Sequence, residues 1–229
     1  MVETVKLLDE TLRYLGWKGQ EIGEEPLTNI RNALEKCQRI AQPRHISGVY
    51  PVNAKKNTVE LSGTGIHLQG TAVTSRLAEA KLVEVIAATL GIAVDREIDR
   101  YSRVNTAYAL LLDAAATAII EDYLDQTECL IGEKYKTENL AALPRFSPGY
   151  EDFRLEVQQS ILSLLNAGKW IGLTCTNACV LIPRKSVTAL VGICAPHNLA
   201  GKTGRPCGGC AIRNTCDFSI CRFGNNSAE

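Results

Sequence analysis

Ile46-Ser47-Gly48-Val49-Tyr50-Pro51-Val52 places Ile46, Tyr50 and Val52 on one parity, the period of a half-buried strand in which successive side chains point to opposite faces. Asn53-Ala54-Lys55-Lys56-Asn57 then forms a polar turn, and Thr58–Leu61 and residues 66–68 read as further strands separated by Gly63 and Gly65. Strands this close in sequence pair as hairpins, so the sheet they begin is antiparallel.

Helical patterns lie on both sides of this block. Val5, Leu7, Leu8, Leu12 and Leu15 recur at helical intervals before Gly16, and a second helix over about residues 27–41 stops at Gln42-Pro43. Downstream, the spacing predicts a helix over 75–90 closed by Gly91, a long helical tract from 95 to roughly 132, and a helix over 155–167. Within the long tract residues 107–116 are apolar on nearly every face, which predicts a helix covered on most sides; Asp113 is expected to bond to a neighbouring element. Residues 169–173, 178–182 and 186–194 read as three strands. Strands and helices in this mixed order predict an α+β fold, a twisted, largely antiparallel sheet with flanking helices. Regular patterning ends after Pro196, which divides the chain into a main domain over 1–198 and a loop-rich tail over 199–229.

Composition narrows the function. The 229 residues are 45% hydrophobic, enough for one core, and Lys+Arg balances Asp+Glu at 25 each. A chain without net charge has no long-range field to draw in nucleic acid or an anionic membrane, which leaves small molecules and protein surfaces as partners. Met1-Val2-Glu3-Thr4-Val5-Lys6 has neither the basic start nor the apolar run of an export signal, so a cytoplasmic protein is expected. The longest apolar stretch, residues 107–120, contains Asp113 and Thr117 and falls short of the roughly 20 residues of a bilayer span.

Two segments carry chemistry. Pro144-Arg145-Phe146-Ser147-Pro148-Gly149-Tyr150 stiffens a loop around one guanidinium and one phenol, suited either to holding a carboxylate in bidentate fashion or to a structural turn with Arg145 in a salt bridge. The tail holds Cys207-Gly208-Gly209-Cys210, Cys216 and Cys221, a C-x2-C-x5-C-x4-C pattern. Disulfides conflict with a reducing compartment, so the four thiols point to metal. Their irregular spacing suits an iron–sulfur cluster, with structural zinc as the alternative; Lys202, Arg205, Arg213 and Arg222 would offset the negative charge of either site. The other five cysteines, Cys37, Cys129, Cys175, Cys179 and Cys194, read as small core residues.

Arg145 to Tyr150, the glutamine-bearing helix after it, the block from Gly172-Leu173-Thr174 to Pro183-Arg184-Lys185-Ser186-Val187, and Arg13-Tyr14-Leu15-Gly16-Trp17 together resemble the activation domain of cobalamin-dependent methionine synthase. The resemblance spans roughly residues 8–193 and implies a free-standing version of that domain with a Cys-rich tail added. It implies S-adenosylmethionine as ligand, with Arg145, Ser147, Gly149 and Tyr150 in its site, Arg145 on the ligand carboxylate and Tyr150 near the reactive methyl as the catalytic candidate. Cobalamin would be carried by the partner, a cobalamin-dependent methionine synthase or related corrinoid protein. The implied role is reductive reactivation, with a ferredoxin or flavodoxin as electron donor; as an enzyme, the chain would be the methyltransferase component in reductive methylation of cobalamin. The alternative is a non-catalytic corrinoid-docking module with a zinc tail. Two positions depart from the family: Gly16 stands where it has an aspartate, and Asn139 where it has an acid six residues before the arginine. Each lost carboxylate removes a charge-assisted bond to the ligand ammonium of about 1.5–3 kcal/mol, so weakened binding is expected.

Overall fold

The computed structural model describes residues 2–196, and the tail with Cys207, Cys210, Cys216 and Cys221 lies outside them. The chain runs α1 (Val2–Tyr14), α2 (Glu24–Ile40), β1 (Arg44–Lys55), β2 (Thr58–Leu61), β3 (Ile66–Gln69), α3 (Thr71–Leu77), β4 (Leu82–Thr89), α4 (Ile92–Ser102), α5 (Thr106–Lys136), β5 (Ala141–Ala142), α6 (Val157–Leu164), α7 (Ala167–Ile171), β6 (Thr174–Cys175), β7 (Leu181–Ile182) and β8 (Ser186–Cys194). The main sheet has the order β3-β2-β1-β4-β8-β5, with every pairing antiparallel, and β6 and β7 form a separate small hairpin. The α+β class and the antiparallel sheet expected from the sequence are both observed.

The centre of the sheet is where the periodicity misled. Instead of one helix over 75–90, the chain forms α3 and then β4, the strand flanked by β1 and β8. Val83, Val85 and Ala87 pack into the core on one face, and Ile86 and Ala88 into the core on the other. A strand buried on both faces has a continuous apolar run, and its apolar spacing alone does not separate it from a buried helix. The tract after Gly91 is two helices rather than one: Asn105 interrupts it, and its side chain accepts from the Tyr108 N–H to cap α5. Residues 169–173 are not a strand, because α7 occupies most of them between Asn166 and Gly172, both left-handed. Of residues 178–182 only Leu181–Ile182 are extended and paired.

Two unequal helical layers result. On one face Leu34 and Cys37 of α2, Val94 and Ile98 of α4, and Leu112, Ala116 and Ile120 of α5 share a core with Ile86, Val191 and Ile193. On the other, Val73 and Leu77 of α3, Ile161 and Leu162 of α6, and Ile171 of α7 close over Val83, Val85 and Leu190. Glu84, buried in β4, accepts from Ser47 Oγ at 2.7 Å and from Lys134 Nζ at 3.3 Å. Asp113 is paired with Lys185 of β8 at 2.9 Å, the neighbouring-element contact its position suggested. No helix among the described residues is long and apolar enough to cross a membrane.

Candidate functional site

The segment after α5 continues as the outer edge of the sheet. β5 pairs with Ile193 and Cys194, the Leu143 N–H donates to Gly192 O at 2.7 Å, and Phe146 and Leu190 exchange both backbone bonds at 2.9 Å. Arg145 is thus fixed on a strand edge beside the second half of α5. There Glu121, Asp125 and Glu128, spaced i, i+4 and i+7, lie on one helical face. Arg145 Nη1 donates to Asp125 Oδ1 at 2.7 Å and Glu128 Oε2 at 2.6 Å, and Nη2 to Glu121 Oε2 at 2.8 Å; the backbone N–H donates to Glu128 Oε1 at 3.1 Å.

The Arg145 side chain is only 15% exposed. Burial works against its charge, but Asp125 and Glu121 outweigh that penalty and raise its pKa further. Three of the five N–H donors are engaged, and the Nε hydrogen and the second Nη2 hydrogen make no bond to the described residues.

Beyond Arg145 the loop folds onto α3. Phe146 stacks on fully buried Phe153 with centroids 5.5 Å apart, and the Arg76 guanidinium lies 4.3 Å from the Phe146 ring. Gly149 has φ +92° and its N–H donates to Phe153 O at 2.8 Å, which turns the chain back; a Cβ there would sit 3.2 Å from Leu155 Cδ1. Asp152 accepts from the Thr71 N–H and hydroxyl at 2.6 Å and from the Ala72 N–H at 2.9 Å, and these bonds, the Thr71 hydroxyl foremost, hold its pKa below the usual range. Ser147 is half-buried, whereas Tyr150 is 64% exposed with its ring centroid 6.5 Å from that of Phe146. Arg145, Ser147, Gly149 and Tyr150 therefore share one loop braced by α5 and α3.

The N-terminal signature approaches the same acidic face. Burial, then the charge of Glu121, pushes the Tyr14 phenol up to about 12, and Lys6 of α1 donates to Asp122 at 2.6 Å. Gly16 has φ +80° at the end of α1, where an L side chain is strained, and Asn139 has φ +56°. Among the described residues no group of His, Cys, Asp or Glu is arranged to hold a metal.

The carboxylates of α5 were missed from the sequence, although the 4-3 spacing of Glu121, Asp125 and Glu128 was visible there. Also missed was an open groove of about 500 Å³ lined by Arg44, His45, Tyr123, Trp170 and Ile171, in which His45 Nδ1 and Tyr123 Oη are 2.8 Å apart.

The fold defines an α+β domain with a six-stranded antiparallel sheet between unequal helical layers. Among solved structures it is similar to the MetH reactivation domain bound to AdoHcy, with a TM-score of 0.62 and 17% identity over 82% of this chain and 74% of that chain. The fold implied by the sequence resemblance is therefore the one found. No family model matches the chain, and no curated protein does.

Proposed function

We propose that this chain takes part in the reductive reactivation of a separate corrinoid protein, a cobalamin-dependent methionine synthase or a relative. The observation that carries this reading is the likeness of the whole fold to the MetH reactivation domain, together with the Arg145–Tyr150 motif lying on the edge of β8. In this reading the Nε and second Nη2 hydrogens of Arg145 take the carboxylate of S-adenosylmethionine, and the acids of α5 favour its net positive charge. Ser147 and Gly149 shape the loop, and exposed Tyr150 faces the docked partner. One electron reduces the partner's cob(II)alamin to cob(I)alamin, whose electron pair takes the methyl group as the S–CH3 bond breaks, leaving S-adenosylhomocysteine. The chain's own contribution is orientation. Cys207, Cys210, Cys216 and Cys221 would hold an iron–sulfur cluster, which would supply one-electron transfer, with a ferredoxin or flavodoxin as the donor.

A second reading is favoured by two features. Arg145 is already engaged by three carboxylates and Gly16 is left-handed, which suits a docking module that does not use S-adenosylmethionine and carries structural zinc. Two measurements separate the readings. Anaerobically purified protein containing iron and sulfide, and converting a cob(II)alamin protein to the methyl form with S-adenosylmethionine and a low-potential reductant, supports the first; Arg145→Lys should slow that conversion because the fork is lost. Zinc without iron, and no conversion despite docking, supports the second.

A further inference from the structure

We propose that the outer edge of β1 over residues 44–50 is a docking site for an extended peptide of a partner protein, with a carboxylate side chain opposite Arg44 and an apolar one opposite Ile46. The parity of the strand is fixed at its middle. The Val52 N–H donates to Lys81 O on the β4 side at 3.1 Å, and Pro51 O accepts from the Ser62 N–H on the β2 side at 2.9 Å. Even-numbered residues of β1 therefore bond to β4, and odd-numbered ones bond outward. β2 and the Ser62 N–H that follows it cover that outer edge only along Pro51–Lys55. The N–H and C=O groups of His45, Ser47 and Val49 point outward, and no strand pairs with them among the described residues. The sheet thus has a notch in line with β2, long enough for one short strand.

The notch has walls of different chemistry. Even-numbered side chains of β1 share a face with the second core, where Trp170, 61% exposed, and Ile171 stand beside Arg44 and Ile46. His45 lies on the opposite face with Tyr123. An incoming strand meets its neighbours face for face, so its residues opposite Arg44 and Ile46 lie on the Trp170 side. Among the described residues that line the groove, Arg44 is the only formal charge, which selects a carboxylate. This is strand addition, in which backbone bonds give affinity and alternate side chains give specificity.

Other occupants fit less well. In a two-fold pairing of β1 with a second copy centred on Ser47, the partner's β2 would be carried onto residues 39–42, where α2 ends. The chain's own tail bears Lys202, Arg205, Arg213 and Arg222 against Asp217 and Glu229, the wrong sign for Arg44.

The test is amide NMR of the full chain with acetyl-Thr-Val-Thr-Thr-Val-Thr-Glu-amide, which in antiparallel register sets Val opposite Ile46 and Glu opposite Arg44. Shifts at up to about 2 mM peptide should centre on His45, Ser47, Val49, Tyr123 and Trp170, and exchanging the peptide's Glu for Lys should weaken binding about fivefold. Val49→Pro removes an outward N–H without touching the β4 ladder, so it should abolish the shifts while the remaining spectrum is retained. Absence of shifts, or equal shifts with Val49→Pro, overturns the proposal. So does protection of the His45, Ser47 and Val49 amides from hydrogen exchange in the free protein: concentration-dependent protection would mark a second copy, and concentration-independent protection the chain's own tail.

Discussion

Replacing Arg145 by methionine keeps most of the stem and removes the guanidinium from the carboxylates of α5. Three charge-assisted bonds are lost, each worth about 1.5–3 kcal/mol when shielded from water. Asp125 is 47% exposed and Glu121 38%, so solvent screens both and about 0.5–1 kcal/mol each is reasonable. Glu128, at 26%, keeps more of its value, and it retains the Arg145 N–H after the substitution. The sum is a loss of about 3 kcal/mol, which for a domain of this size lowers Tm by about 6–12 °C. Calorimetry at pH 7 measures it directly, and repeating the scans in 1 M NaCl adds a second criterion. Salt screens exposed pairs strongly but a largely buried guanidinium much less, so most of the deficit should persist. Glu128→Gln should cost about 1 kcal/mol, and the Arg145/Glu128 double mutant should be less destabilised than the sum of the two singles. A fall in Tm below about 2 °C, or a deficit that disappears in high salt, refutes the view that this cluster fixes the loop.

Other consequences are simpler to check. Bonds from Arg100 and Lys36 hold Glu97 down to about 2 against its burial, so its stabilising charge is fully present above the ordinary carboxylate pKa and is lost as pH falls toward 2; Glu97→Gln should lower stability by about 1 kcal/mol at pH 7, with the gap to wild type closing between about pH 4.5 and 2 in urea melts. Phe153→Ala empties a fully buried ring site beneath Phe146 and should cost about 3–5 kcal/mol by denaturant unfolding. Burial pushes the Cys37 thiol up to about 12, so alkylation at pH 8 mapped by mass spectrometry should label exposed Cys129 and spare Cys37.

What the sequence disclosed followed from how each element meets solvent. β1 was legible because its side chains alternate between partly covered and exposed positions, and β8 because its nine residues lie between recognisable breaks. β4 was not, since burial on both faces removes alternation, and the error propagated into a helix that absorbed the loop around Ala80. α7 was lost for another reason: a single turn bounded by two left-handed residues is set by its packing on the sheet rather than by periodicity. At the candidate site, the Arg145–Tyr150 segment stood out through its prolines and glycine. Its surroundings did not, because salt bridges across some twenty residues join groups that look like an ordinary solvated helix face until the fold brings the loop beside α5.

The central position of β4 also governs how the molecule comes into being on the ribosome. Its partner β8 joins it with Ser186 beside Thr89, a separation of 97 residues, whereas β1 is available almost at once. During synthesis β4 has one hydrogen-bonding edge satisfied and the other bare until nearly the whole described chain has emerged, and both helical layers wait for the same event, because Val191 and Ile193 belong to one core and Leu190 to the other. Closure of this domain is thus a late, long-range step, slow relative to its local hairpins. A nascent or truncated chain that stops short of residue 186 presents an apolar strand edge to its neighbours, which makes β8 the element that separates a soluble product from an aggregating one.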